Sequence, residues 1–282
     1  MNQQLITAQY LDHMGTDLTV CNAARASFGK ESEWETNPDG TYAGPKNRLK
    51  PADAGLIRFL ATGYRTGEWE TFLDEIIRAA SLCEFVPGEG DPRGTLTDIL
   101  HAYKRKAQHW APFAHPQLQI RIQIPIFLAR QFVKHQVGAV WSEESRRYIS
   151  DEPGVWFPNE WHTRPEDIKQ GSGGPITRMT WDDGGDVERE EIDPIVRELT
   201  AQQLHAYMQM VEGGVAPEEA RIVLPLNTMT TVVWTGSLLF WSRVCNQRLD
   251  GHAQLAAQEL AKQIAAIAKP LFPVSWAALV GE

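Results

Sequence analysis

Cysteine is scarce in this chain. Three residues in 282, Cys21, Cys83 and Cys245, stand far apart and are odd in number, which excludes a disulfide-stapled secreted scaffold and points to a reducing compartment. Long apolar runs are missing as well: no stretch reaches the ~18 residues that a membrane span needs. The first residues, Met1 to Ala8, have neither the basic nor the apolar region of a secretory leader. Positive charge is in deficit, with 27 Lys and Arg against 36 Asp and Glu and a net charge of −9. That balance argues against a general nucleic-acid coat, although a local cluster of cations inside an acidic protein can still hold a small anion. The expectation is a soluble, cytoplasmic protein that binds neither nucleic acid nor membrane.

Several catalytic motifs are lacking too. The eight histidines form no HExxH or HxH, there is no CxxC, and the closest pair is His109/His115, so no metal site is expected. No GxSxG elbow is present and no cysteine lies in a recognisable nucleophile setting, so cysteine catalysis is not expected. Gly171-Ser-Gly-Gly174 lacks the Lys-Ser/Thr that follows in a phosphate loop and reads as a linker.

What remains is ordinary in bulk, 43% apolar and 22% charged, with length for one large domain or two small ones. Ten tryptophans suit core packing, with some available to stack on a flat ring. The chemistry concentrates in Arg130 to Tyr148, which carries Arg130, Lys134, Arg146 and Arg147 beside Glu143, Glu144, His135 and two serines. Surface ion pairs could account for part of this, at ~0–1 kcal/mol each. Arg221, before an apolar run expected to be buried, and Arg248, between two helices, favour a site instead, because a buried cation needs an anionic or planar partner.

The local pattern predicts mixed elements. Leu5 to Leu11 suits a strand. Thr16 or Asp17 can cap a helix carrying Leu18, Cys21 and Ala24, and residues 29–52 read as loop. Apolar spacing from Leu56 to Phe85 predicts two amphipathic helices divided at Gly67, and Thr97-Asp98 caps a third that ends near His109. Gln117 to Ile124 alternates strictly and is the clearest strand. Pro125 then opens a helix to about Val137, closed by Gly138. Residues 151–191 look irregular, with a mobile loop near 168–190. Helices follow at Ile192–Glu212, from Pro217 to Arg221, at Leu238–Asn246 and at Ala253–Lys269, with a strand at Thr228–Trp234. No repeat and no domain boundary is evident.

Against these residues the chain resembles the flavin-dependent thymidylate synthases. Their Arg-His-Arg, spacer, Asn-Glu-x-Ser-x-Arg-Tyr pattern is similar to Lys134-His135-Gln136 followed by Ser142-Glu143-Glu144-Ser145-Arg146-Arg147-Tyr148. Further landmarks stand in family order: Ala23-Ala-Arg-Ala-Ser27-Phe28, His109-x-x-Pro-Phe-x-His115, Pro125-Ile-Phe-x-Ala-Arg-Gln131, Ala220-Arg221 to Asn227, and Arg248-x-Asp-x-His-Ala-Gln254.

The resemblance implies an α/β (α+β) fold in a single domain, a mixed or antiparallel sheet flanked by helices, with insertions at about 29–95 and 160–190. It implies a homotetramer with shared active sites. The reaction it implies is reductive methylation of dUMP to dTMP, with FAD as cofactor and NADPH and methylenetetrahydrofolate as co-substrates. Carried over by residue, dUMP would meet Gln131, Glu143, Glu144, Ser145, Arg146, Arg147 and Arg221. Arg248 would face the uracil and favour ionisation at N3, the catalytic role. The flavin would meet Ser27, His109, Lys134, His135, Gln136 and Glu143, with Ser237 and Arg243 at positions where the family has other contacts. This chain departs from the family mainly on that flavin side: Lys134 and Gln136 replace arginines, Ser142 an asparagine, and Ala111 a Thr or Ser. A folate-dependent 5-hydroxymethylase of dUMP or dCMP, and an inactive nucleotide-binding homologue, are the alternatives.

Overall fold

The strict alternation at Gln117 to Ile124 lies near the middle of a sheet. Strands β1 (Thr7–Met14), β2 (Gln117–Pro125), β3 (Ala139–Glu143) and β6 (Met229–Ser237) form an antiparallel four-stranded sheet in the order β1-β2-β6-β3. Two further strands, β4 (Arg178–Trp181) and β5 (Glu188–Glu191), pair antiparallel with each other in a separate two-stranded sheet. This computed structural model describes residues 1–37, 48–63, 66–81, 109–165, 171–181 and 188–281. The described helices are α1 (Asp17–Arg25), α2 (Pro51–Thr62), α3 (Thr66–Ser81), α4 (Ile126–Phe132), α5 (Ile192–Glu212), α6 (Pro217–Ala220), α7 (Leu238–Arg248), α8 (Leu255–Leu271) and α9 (Pro273–Val280).

These elements fall into two compact units of three segments each. The first comprises 1–12, 118–236 and 243–267; the second comprises 13–117, 237–242 and 268–282.

In the first unit, Leu118, Ile120, Ile122 and Ile124 of β2 are buried, as their spacing requires. Val232 and Trp234 of β6 and Leu260, Ala261 and Ile264 of α8 are buried with them. β3 pairs antiparallel with β6, placing Trp141 opposite Trp234, and their rings meet edge-on at 4.9 Å. A satellite cluster joins Val155, Phe157 and Leu204, flanked by Val196 and Leu224.

In the second unit, Thr16 precedes α1 and its N–H donates to Thr19 Oγ1 at 3.0 Å, as expected of that helix start. Asp53 is buried and ion-paired with Arg25, and it also accepts from Ser32 Oγ at 2.8 Å. Burial raises the thiol of Cys21 to about 12, aided by nearby Asp53 and Asp17. In the first unit burial alone raises Cys245 to about 12. Neither thiol has the exposed, cationic surroundings of a nucleophile.

Several local expectations change. The two helices after residue 50 divide at Gly63, not Gly67. Gly63 adopts φ 76° and donates its N–H to Phe59 O, the left-handed C-terminal role that favours glycine; Gly67 lies inside α3. Helix α4 ends at Phe132 rather than near Val137. His135 N–H turns back to Phe132 O and Gly138 takes φ 82°, and β-branched Val133 and Val137 resist helix there. The four-residue relations between Arg130 and Lys134 and between Gln131 and His135 therefore do not hold. Part of 168–190 is strand rather than loop, and α9 was not anticipated. The helix expected from Thr97 and the residue Cys83 lie outside the described residues.

Candidate functional site

The polar stretch is laid out by three elements of the first unit. Strand β3 delivers Glu143, and a tight turn follows in which Tyr148 N–H donates to Ser145 O. Helix α4 presents Arg130, while α6 and the 3₁₀ turn after it present Glu218, Glu219 and Arg221. Together they enclose a cavity of about 1220 Å³ that holds Arg130, Arg146, Arg147 and Arg221, with Ser145 and Glu143 among its other walls.

The four arginines are not equivalent. Arg146 is half-buried and its terminal nitrogens are committed: Nη1 donates to Asp151 O and Oδ1 at 2.9 and 3.0 Å, and Nη2 lies 3.5 Å from Glu144, while Nε is buried without a partner among the described residues. It braces the turn. Arg147 is exposed; among the described residues its side chain donates only to Ser145 Oγ, at 3.3 Å, and its guanidinium lies 5.1 Å over the Tyr148 ring. Arg221 is exposed and donates Nε to Glu218 O at 3.0 Å, its one side-chain partner among the described residues. Arg130 is exposed and has no partner among the described residues. Three arginines thus keep donors for an added anion, each able to grip a phosphate by its fork.

The carboxylates opposite are partly spent. Glu143 Oε1 accepts from Thr230 Oγ1 and Oε2 from Trp141 Nε1, both at 3.1 Å, while Glu144 faces Arg146. Arg221 corrects an expectation, because the run behind it is not buried: Ile222 is 84% exposed and Leu226 53%. Gln131 does not line the cavity, and its Oε1 is buried without a partner among the described residues. Arg130 lines the cavity, although the resemblance singles out no role for it individually. It stands in the polar stretch expected to hold a phosphorylated ligand and directly precedes Gln131 on the same helix.

Arg248, at the end of α7, lies elsewhere in this unit and does not line the cavity. Its Nε and Nη2 approach His135 Nε2 at 3.2 and 3.0 Å, and its guanidinium carbon lies 5.6 Å over the Phe132 ring. Burial first, and then the Arg248 charge, pushes the His135 imidazole below its ordinary 6.5. Burial also lowers Arg248 from its ordinary value, though a guanidinium stays charged. Lys134 and Gln136, on either side of His135, are exposed. Arg243 is exposed too.

The remaining expected residues lie in the second unit. Ser27 and His109 line one cavity of about 650 Å³, walled by Phe28, Phe59 and Trp110; the His109 ring stacks 5.4 Å from Phe59. Ser237 is buried, and its Oγ accepts from Phe240 N–H at the start of α7.

A family model described as thymidylate synthase complementing protein matches residues 9–274. A flavin-dependent thymidylate synthase of Kosmotoga olearia is 34% identical over 178 residues, 63% of this chain and 74% of that protein. One from Thermus thermophilus is 30% identical over 191 residues, 68% of this chain and 66% of its own length. Among solved structures, a UMP/dUMP methylase PolB from Streptomyces cacaoi bound with 5-Br dUMP superposes with a TM-score of 0.63. It shares 20% identity, across 99% of this chain and 96% of that one, which bears on the fold alone. No described helix is long and apolar enough to cross a membrane. With the family match running from β1 to the first turn of α9, the chain belongs to the thymidylate synthase complementing protein family, whose curated relatives are flavin-dependent thymidylate synthases.

Proposed function

We propose that the chain catalyses reductive methylation of dUMP to dTMP, with FAD bound and with NADPH and methylenetetrahydrofolate as co-substrates. The observation that carries this reading is the convergence of Arg130, Arg147 and Arg221 on one cavity beside Ser145, a donor set suited to a phosphate monoester. Arg146 holds the turn that presents Ser145 and Arg147. Glu143, tied to Thr230 and Trp141, fixes the end of β3 against β6. Arg248, held from one side by His135, is read as the fixed cation at the uracil edge that favours ionisation at N3.

The residues present fit a flavin in part. The cavity at Ser27 and His109, within the second unit, has the aromatic walls and the volume for a planar ring. Ser237 is spent on its own helix start. Bound there, the flavin supplies the reducing equivalents; the chain's residues bind and orient. The resemblance to the family is what supports reading the protein as a homotetramer with active sites shared between subunits.

Departures at Lys134 and Gln136 favour a second reading, hydroxymethylation of dUMP or dCMP, which needs no net reduction. Incubation with each nucleotide and mass analysis of the product tests the two. A net gain of CH2 that depends on NADPH is expected. A gain of CH2O without NADPH overturns the synthase reading, and purified protein that binds dUMP but carries no flavin absorbance indicates an inactive homologue.

A further inference from the structure

The three residues of the altered motif do not share one fate. Lys134 and Gln136 point to solvent, whereas His135 turns inward to Arg248. We infer that His135 is the positioning residue of Arg248.

The geometry is specific. A guanidinium has a side edge, Nε with Nη2, and an end edge, Nη1 with Nη2. The side edge of Arg248 converges on the single acceptor His135 Nε2, at 3.2 and 3.0 Å. To accept there the imidazole must be neutral with its proton on Nδ1. The Phe132 ring backs the guanidinium at 5.6 Å. Phe132 and His135 are also joined by the backbone bond from His135 N–H to Phe132 O. One turn of chain therefore grips Arg248 from edge and face together. Its end edge keeps two parallel donors, which match the acceptors of a pyrimidine that has lost the N3 proton. A loose arginine would have to be ordered at each encounter; a held one meets the developing charge already placed.

This inference rests on reading Arg248 as the cation at the uracil edge, so the test separates the two. The probe is 5-fluoro-dUMP, whose N3 ionisation is followed by ultraviolet difference titration on the protein, alongside kcat and KM for dUMP. In His135→Leu the bound probe should ionise at higher pH and kcat should fall about 10²-fold, the cost of a misplaced group, with KM for dUMP little changed. His135→Gln, whose amide oxygen can accept, should restore both readouts. His135→Asn, too short to reach, should behave as Leu and stands in if the Leu variant does not fold. A probe that titrates in Leu and Asn variants as in wild type, or a Gln variant no better than Leu, overturns the role of His135. If Arg248→Ala itself leaves the probe's ionisation unchanged, it is the placing of Arg248 at the uracil that fails.

Discussion

The carboxylate of Asp17 accepts the backbone N–H groups of Val274 and Ser275, at 2.8 and 2.9 Å. A residue at the first turn of α1 thereby caps the first turn of α9, where unpaired N–H groups and the helix dipole favour an acidic partner. Asp17 is only 3% exposed. Burial raises its pKa above 3.8, and the bonds from residues 274 and 275 offset part of that. Removing the acceptor strands two buried donors, so Asp17→Ala should cost about 1–3 kcal/mol, read by urea unfolding. The raised pKa fixes the pH trend. Asp17's contribution is full below its unfolded value and is lost as pH rises through the folded one. The stability of wild type relative to Asp17→Asn should therefore decline from acid pH toward neutrality; a flat difference sinks the assignment.

That bond also shows where sequence reading stops. Gln117 to Ile124 announced a strand because period-two burial is written into consecutive residues, and Thr16-Asp17 marked a helix start because capping is local. No pattern at Asp17 says that its carboxylate serves a helix more than 250 residues away. Helix α4 was read too long because Arg130 to Val137 is polar and apolar at helical spacing, and that cannot report the turn made by His135. Likewise the apolar run after Arg221 suggested burial, but its first residue, Ile222, faces solvent. The second half of the motif was legible as a nucleotide grip. The division of labour inside it, with Arg146 bracing and Arg147 free, depends on Asp151 and is visible only in three dimensions.

That division predicts different losses from neighbouring arginines. Arg146→Ala removes charge-assisted bonds to Asp151 and Glu144 and should lower stability by about 1–3 kcal/mol, the exposed Asp151 pair itself contributing about 0–1. Arg221→Ala gives up only a backbone bond at the surface. It should leave unfolding within about 0.5 kcal/mol of wild type while weakening dUMP binding. Calorimetric titration beside urea unfolding checks both, and equal stability losses would remove the distinction.

Arg130 carries a sharper prediction, because nothing in the described structure uses its charge. A charge-assisted bond to phosphate contributes about 1.5–3 kcal/mol, so Arg130→Ala should raise the KM for dUMP about 10- to 100-fold. The free nucleoside, lacking the phosphate, should bind the variant and wild type alike. Arg130→Lys should recover only part, since a point charge replaces a fork. The wild-type affinity should fall with added salt more steeply than the variant's. If nucleotide and nucleoside lose affinity equally, Arg130 acts on the fold rather than on the phosphate.

His135 sets a pH limit of its own. Its pKa is held below 6.5 by burial and by Arg248, so on unfolding it gains affinity for a proton. As pH falls below about 6.5, the unfolded chain takes up a proton that the folded chain refuses, and stability declines until the folded pKa is passed. His135→Gln cannot titrate and should lack this part of the slope, so the wild type should lose stability against it in that window. Activity follows the same group. Protonation removes the Nε2 acceptor and sets a second cation beside Arg248, so kcat/KM should drop on the acid side, at a lower pH than an ordinary histidine would set. The Gln variant should lose that acid limb while keeping activity at neutral pH. Superimposable pH profiles for the two proteins, in stability and in kcat/KM, would mean that His135 does not hold Arg248 through its neutral ring.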